Sequence, residues 1–422
     1  MPYLKGSDKL RAKLELTPTY AAQLDGKVLT NAHAVGDVDG DGATELLFGS
    51  LLGKVSVFKI VGDRLTQWKS CEVNGSVTAI CLDDSFAGDT RIIVATAEGT
   101  CSVFRSVEGA EVLQLCFEFS VALNICDVVH VNGELIIATR DGRLLVYQPT
   151  TGNLNRVDPD LLSEYSQVAQ MEINDEIETL IIPQQNSPQL LARCFSGDVF
   201  SIGGPTADPP IDKRKIAPWD GPPTGNDGIT FVVCDIALAG ERGMNALVSM
   251  NGLVSLFSAS GERQWDFQLP EALVNADKLE MTAPGGDRQD AIVVCTWSGQ
   301  MYAIQSERRL VRFRMLLPGC SMFCVGIHDF SVQVDPTIVG ISTSGTVFVY
   351  RDVQETLIRG LQDSTLSDKV KESSVFAQMD TPEKRKELMK KLHKAFPQQI
   401  YSTGATVPSV QDLIKTMVAV QL

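Results

Sequence analysis

The chain is short of the residues from which most active sites are built. Its 422 residues hold four histidines, His33, His130, His328 and His393, and they are scattered. There is no H-E-x-x-H and no pair at zinc-ligand spacing, so no zinc motif is present. A G-x-S-x-G elbow and a G-x-x-x-x-G-K-[ST] phosphate loop are also missing. The composition therefore points away from an enzyme. No apolar run approaches the ~18 residues needed to cross a bilayer. The opening stretch MPYLKGSDKLRAKLEL has no apolar core of the kind a secretory signal carries. Positive charge is in deficit, with 37 Lys and Arg against 52 Asp and Glu and a net charge of −15. Such a chain repels phosphate backbones, which disfavours nucleic-acid and anionic-membrane binding. The basic cluster Lys384, Arg385, Lys386, Lys390, Lys391 and Lys394 reads as the solvated face of a helix. The ten cysteines form no C-x-x-C, and most lie in apolar runs such as VTAICL and AIVVCTW. They read as core residues of a reduced, cytoplasmic protein. Asn74-Gly75-Ser76, without a secretory signal, reads as a turn.

What is present is a repeat. A short apolar run, two or three small or polar residues, a glycine and an alternating strand recur seven times. The copies are ELLFGSLLGKVSVF, RIIVATAEGTCSVF, ELIIATRDGRLLVY, QLLARCFSGDVFSI, NALVSMNGLVSLF, AIVVCTWSGQMYAI and PTIVGISTSGTVFVY. Their glycines are Gly53, Gly99, Gly142, Gly197, Gly252, Gly299 and Gly345, roughly 49 residues apart on average. That spacing suits a four-stranded propeller blade. Each glycine marks a hairpin turn that needs positive φ. Leu52-Gly53 is the poorest hairpin dipeptide, which predicts a longer turn there. Further runs upstream (VTAICL, NICDVV) and downstream (RLTQWKSCEV, RLVRFRML) complete four strands per repeat. The fold predicted is all-β, a seven-bladed β-propeller over 1–351 with a helical C-terminal tail over 352–422. The last repeat lacks a fourth strand, and Leu10 to Leu16 is expected to supply it and close the ring.

Two long steps between glycines predict insertions, one polar and acidic over 151–176 and one Pro/Gly-rich over 203–228. In the tail, Thr381-Pro382-Glu383 reads as an N-cap, a first-turn proline and a first-turn acid, opening a helix to about Lys394. A second helix is expected from about Ser409. Val410, Leu413, Ile414, Met417 and Val418 fall on one stripe of it, which would pack on the propeller or dock in a partner.

One motif carries sharp chemistry. Asp37-Val38-Asp39-Gly40-Asp41-Gly42-Ala43-Thr44-Glu45 has the form D-x-D-x-D-G-x-x-E. Carboxylates of Asp37, Asp39, Asp41 and Glu45, with the backbone of Ala43, can converge on one Ca²⁺ if the chain turns. Phe48 stands where an EF-hand needs its twelfth-position Glu, so this is not an EF-hand. The other repeats lack the full acid set, so the alternative is a plain Asp-Gly turn.

The stretch GDVDGDGATELLFG with the following GKVSVF resembles the FG-GAP repeat of integrin α-chains. The order of repeats, the Trp-containing sixth repeat AIVVCTWSGQMYAIQSERRLVRF, the Pro/Gly insertion and the two-helix tail resemble the integrin-alpha FG-GAP repeat-containing protein 2 family, subunits of the KICSTOR complex. The resemblance implies a non-enzymatic scaffold that partners a Kaptin-like propeller and the other KICSTOR subunits. It would be cytoplasmic, recruited to the lysosomal surface. There the complex would tether the GATOR-type Rag GTPase-activating complex and restrain mTOR complex 1 on amino-acid or glucose shortage. Glu45 departs from the integrin pattern, which has Asp there. The alternative is an integrin-like propeller acting as a calcium-dependent adhesion or binding module, which would need secretion.

Overall fold

The computed structural model describes residues 10–13, 17–62, 64–84, 90–150, 165–183, 190–203, 211–212, 229–238, 240–282, 286–306, 309–312, 321–325, 336–342, 344–351, 353–354, 357 and 381–395. Seven separate sheets form, one for each repeat. The fold is the predicted seven-bladed propeller. Blade one runs outward through Val28–Gly36, Glu45–Ser50, Lys54–Val61 and Arg64–Glu72, each strand antiparallel to the next.

The second strand of a blade explains its unbroken apolar run. Every residue of Glu45–Ser50 is buried. Successive side chains point to opposite faces of a strand, and here the two faces meet two different neighbours. Leu47 packs with Val77, Ile92 and Val94 of blade two, whereas Leu46 and Phe48 pack with Val339, Ile341 and Val347 of blade seven. Phe48 and Phe58 add an edge-to-face contact at 5.9 Å, worth about 0.5–1.5 kcal/mol beyond area burial. The outermost strand, Arg64–Glu72, alternates toward solvent.

The seven glycine turns share one geometry, and it is not the two-residue hairpin. In each, the glycine N–H donates to the carbonyl three residues back, as Gly142 does to Thr139 at 3.0 Å and Gly53 to Ser50 at 3.0 Å. The glycine follows a type I turn at positive φ, the three-residue pattern with a bulge. Leu52-Gly53 is thus no exception; all the turns are equally long. Gly142 shows why no side chain is tolerated. Its φ is +90°, and a Cβ there would lie 2.1 Å from the carbonyl oxygen of Ile173, where the chain passes to the next blade.

Ring closure differs from expectation. Leu10–Lys13 runs parallel to Arg309–Arg312 as a fifth strand on blade six, not in blade seven. The closing strand is Tyr20–Gln23, antiparallel to Thr346–Tyr350. The handover length decides this. Outer strands end at Glu72, Ser120, Glu172 and Gln268, and the next inner strands begin at Val77, Ile125, Ile177 and Leu273. Gln23 stands in that same relation to Val28, and Leu16 does not. Tyr20 and Ala22 also supply alternate apolar contacts between blades seven and one.

The expected insertion over 151–176 is shorter at its C-terminal end. Tyr165–Glu172 is the outer strand of blade three, and 173–176 is an ordinary handover. Within 203–228, Ile211–Asp212 is the short outer strand of blade four. The tail begins by packing on the ring. Val353 and Leu357 are helical and buried with Leu279 and Met281, and the Gln354 Oε1 accepts the Thr282 N–H at 2.9 Å. The later helix Pro382–Ala395 is capped as read, with the Lys384 N–H on the Thr381 hydroxyl at 3.4 Å. Its basic residues are exposed. No helix among the described residues is long and apolar enough to cross a membrane.

Candidate functional site

The Asp37–Glu45 motif joins the first two strands of blade one, with Gly36 and Glu45 paired across its neck. Gly40 and Gly42 take positive φ, so the loop turns back on itself as the motif requires. The carboxylates do converge: one oxygen each of Asp37, Asp39 and Glu45 lie within 4.8 Å of one another. Their partners, however, come from the chain. Asp37 accepts the N–H groups of Gly40 at 2.7 Å and Gly42 at 2.9 Å. Asp41 accepts the Ala43 N–H at 2.8 Å, and buried Glu45 accepts the Val38 N–H at 2.9 Å.

At the centre stands a residue that no sequence motif marked. The Lys59 Nζ lies 2.7 Å from Asp39, 2.7 Å from Asp41 and 3.1 Å from Glu45. Burial pulls the Lys59 pKa down, but the hydrogen bonds it donates to Asp39 and Asp41 and its attraction to Glu45 outweigh that and the net direction is up. Burial pushes Glu45 up to about 7, against the Val38 N–H and Lys59, which hold it back. The hydrogen bond to Lys59, followed by the Ala43 N–H, holds Asp41 below its ordinary value. A calcium ion takes about six to eight oxygens. Here Asp37, Asp41 and the Glu45 Oε2 accept backbone amides, and Asp39 and Asp41 accept the ammonium. The buried Glu45 Oε1 accepts no hydrogen bond and faces Lys59; an ammonium thus stands where a calcium ion would have to sit.

Acids of other blades are also turned inward. Asp127 of blade three accepts the Val128 and Leu180 N–H groups and the Thr179 hydroxyl, all at 2.8 Å. Asp290 of blade six accepts the Ala237 N–H of blade five at 2.8 Å and pairs with Arg288 at 2.9 Å. Arg288 also reaches Asp235 at 3.2 Å and Glu280 at 3.0 Å. Buried Asp83 takes the Tyr165 hydroxyl and lies 3.4 Å from the His130 Nε2. These clusters tie blade to blade. The axis is crossed as well. The strand Val28–Gly36 bulges between Val28 and His33, and Asn31 in the bulge donates to the Cys126 and Glu178 carbonyls at 3.0 and 3.2 Å, on blades three and four.

The tail stripe Val410, Leu413, Ile414, Met417 and Val418 lies outside the described residues. A different apolar surface is visible. The glycine hairpins all stand on one face of the ring, because the strands leading into them run alike. On that face Leu52 is 75% exposed, Trp297 60%, Phe195 51% and Met250 51%. Phe195, Met250 and Trp297 each occupy the first turn position, in three consecutive blades. Beside Phe195, whose N–H bonds the Glu176 carbonyl at 2.9 Å, Asp141, Glu172, Asp175 and Glu176 line a cleft with Arg143. The signal was legible as an apolar residue two before the hairpin glycine, where a polar one is ordinary. Eight cysteines among the described residues are free, and seven of them are buried.

The fold and its hairpins define a seven-bladed propeller of FG-GAP-like repeats, with one acidic repeat loop closed by a lysine. Residues 235–355, spanning blades five to seven, match the family described as Integrin-alpha FG-GAP repeat-containing protein 2, and the resemblance read from the sequence is borne out. Among curated proteins, the chain is similar to the KICSTOR complex protein ITFG2 of Mus musculus, 21% identical over 379 residues that cover 79% of this chain and 84% of the relative. The Bos taurus protein of that name is 22% identical over 382 residues, covering 79% of this chain and 70% of the relative. Among solved structures, BBS1N in complex with ARL6DN shares the fold with a TM-score of 0.57 at 14% identity, over 80% of this chain and 96% of that one.

Proposed function

We propose that this chain is a non-enzymatic scaffold subunit of a KICSTOR-like complex. In that role it helps recruit the GATOR-type Rag GTPase-activating complex to the lysosomal surface and restrains mTOR complex 1 when amino acids or glucose run short. The observation that carries the reading is the similarity, over 79% of the chain, to two proteins named as KICSTOR complex subunits. Two features of the molecule support it. The inward acids are engaged between blades and the axis is crossed by Asn31, so these groups serve the ring. The hairpin face carries solvent-facing Phe195, Met250 and Trp297, the residue types that anchor protein interfaces. The partner proposed for that face is a Kaptin-like propeller in a hetero-oligomer, presenting basic residues around an apolar centre to match the acids of the rim.

The experiment is affinity purification of the tagged full chain from nutrient-starved cells, followed by mass spectrometry. Recovery of a Kaptin-like propeller with other KICSTOR-like subunits is the expected result. Recovery of neither, while the chain remains folded and expressed, overturns the assignment.

A further inference from the structure

We propose that Lys59 is the built-in cation of the Asp37–Glu45 loop, standing in place of the metal that this acidic pattern invites. Three observations carry it. The first is the coordination: the ammonium lies between three carboxylates, at 2.7, 2.7 and 3.1 Å, with its side chain only 13% exposed. Two of its N–H groups bond Asp39 and Asp41, and the buried Glu45 Oε1, which accepts no hydrogen bond, has the ammonium as its facing charge.

The second is Trp68. The Lys59 ammonium also lies 4.3 Å from the Trp68 ring centroid, on the outer strand of the same blade. An aromatic face attracts an ammonium but offers no oxygen to a hard divalent ion. Lys69 sits against the same ring at 4.4 Å, so two ammonium groups share the indole. The pocket around the acids is thus furnished for a lysine.

The third is register. Leu46 pairs with Phe58 across the glycine hairpin, so Glu45 and Lys59 are the next pair outward. The lysine is delivered to the loop by the ladder itself. Because it is part of the chain, its local concentration does not depend on the solution, whereas a calcium ion must be captured from outside. A loop closed in this way stays closed in chelator. The propeller would then present its surfaces alike in calcium-poor and calcium-rich media, unlike the calcium-dependent module that the motif alone suggests. This inference is independent of the KICSTOR-like reading.

The test uses the full chain. Thermal unfolding is followed by circular dichroism in EGTA and in millimolar CaCl₂, with calorimetric titration of CaCl₂ into chelator-stripped protein. The wild type is expected to melt at the same temperature in both buffers and to give no saturable heat. Lys59→Met, which keeps the stem and removes the charge, is expected to melt several degrees lower in EGTA and to recover on adding calcium. Saturable one-site binding by the wild type, or a lower midpoint on chelation, overturns the proposal. So does a Lys59→Met variant as stable as wild type in both buffers. Should Lys59→Met fail to fold, Lys59→Arg separates the readings. It keeps the charge and is expected to remain indifferent to calcium, and a gain of calcium binding in it overturns the proposal.

Discussion

The Asp127 carboxylate accepts the backbone N–H of Leu180 at 2.8 Å, fastening the inner strand of blade three to that of blade four. The same oxygen takes the Thr179 hydroxyl and the other takes the Val128 N–H. Removing this side chain strands a buried amide donor, at a cost of about 1–3 kcal/mol. Asp127→Ala is therefore expected to lower the midpoint of urea unfolding.

A pH dependence accompanies it. Burial pushes the Asp127 pKa from 3.8 to about 6, against the hydrogen bonds from Leu180, Thr179 and Val128 and the pull of Arg193. Between those two values the folded chain binds more protons than the unfolded one. The contribution of this group to stability therefore falls as pH rises through that window and is restored as pH falls back. Asp127→Asn, which does not titrate, is expected to flatten the slope of unfolding free energy against pH there. An unchanged slope would mean that other groups govern the window.

Two glycines of blade three separate backbone strain from close approach. Gly133 has φ +78°, and a Cβ added there would meet nothing within 4 Å, whereas Gly142 has φ +90° and the Ile173 carbonyl oxygen at 2.1 Å from such a Cβ. An L-residue in the left-handed region costs about 1–2 kcal/mol. Gly133→Ala is expected to lose about that much. Gly142→Ala should lose clearly more, since backbone must move to admit the methyl. Equal losses in chemical denaturation would show that the carbonyl yields freely.

Ring closure gives a length-resolved prediction. Tyr20–Gln23 makes four pairs with Thr346–Tyr350, and Gln23 adds side-chain bonds to the Ser344 carbonyl at 2.8 Å and the Thr346 hydroxyl at 2.9 Å. Each net hydrogen bond is worth about 0.5–1.5 kcal/mol, so their loss amounts to several kcal/mol. A chain starting after Lys13 is expected to keep a single cooperative unfolding transition. One starting after Gln23 should melt much lower or in separate steps. If instead both truncations behave alike, the closing role of Tyr20–Gln23 fails.

The blade count was legible because a hairpin glycine at positive φ has few substitutes and leaves a periodic mark in the chain. The closing strand was misplaced because LRAKLEL looks more strand-like than TYAAQ. The short handover that recurs after blades one, two, three and five, and that points to Gln23, is a spacing between blades and not a local preference. The acid loop was legible as a motif, but its partner was not. Lys59 is a lone basic residue late in the strand KVSVFKIV, inconspicuous until that strand is folded back on Glu45. Asp127, Asp290 and Asn31 left no motif, because each acts on backbone groups of a blade about 50 residues or more away. The apolar turn residues did leave a mark: Phe195, Met250 and Trp297 stand where a turn ordinarily has a polar residue.

Those three residues carry the last prediction, together with the tail stripe. Solvent-facing turn positions contribute little to folding, and substitutions there usually change stability by less than about 0.5 kcal/mol. At an interface centre, by contrast, losing a large anchor costs about 2 kcal/mol or more, roughly 30-fold in affinity. Phe195→Asp with Trp297→Asp is therefore expected to leave the melting midpoint near that of wild type while abolishing recovery of the Kaptin-like partner. Phe195→Ser with Trp297→Ser removes the aromatics without adding charge and should act in the same direction. The stripe Val410, Leu413, Ile414, Met417 and Val418 is tested in parallel by polar substitution of Leu413 and Met417. Loss of the partner with the propeller still folded places the stripe in the interface. Unfolding of the whole ring places it in the core, and the hairpin face then stands as the docking surface alone. Full partner recovery with both pairs substituted would remove the proposed interface altogether, even if the complex assignment survives.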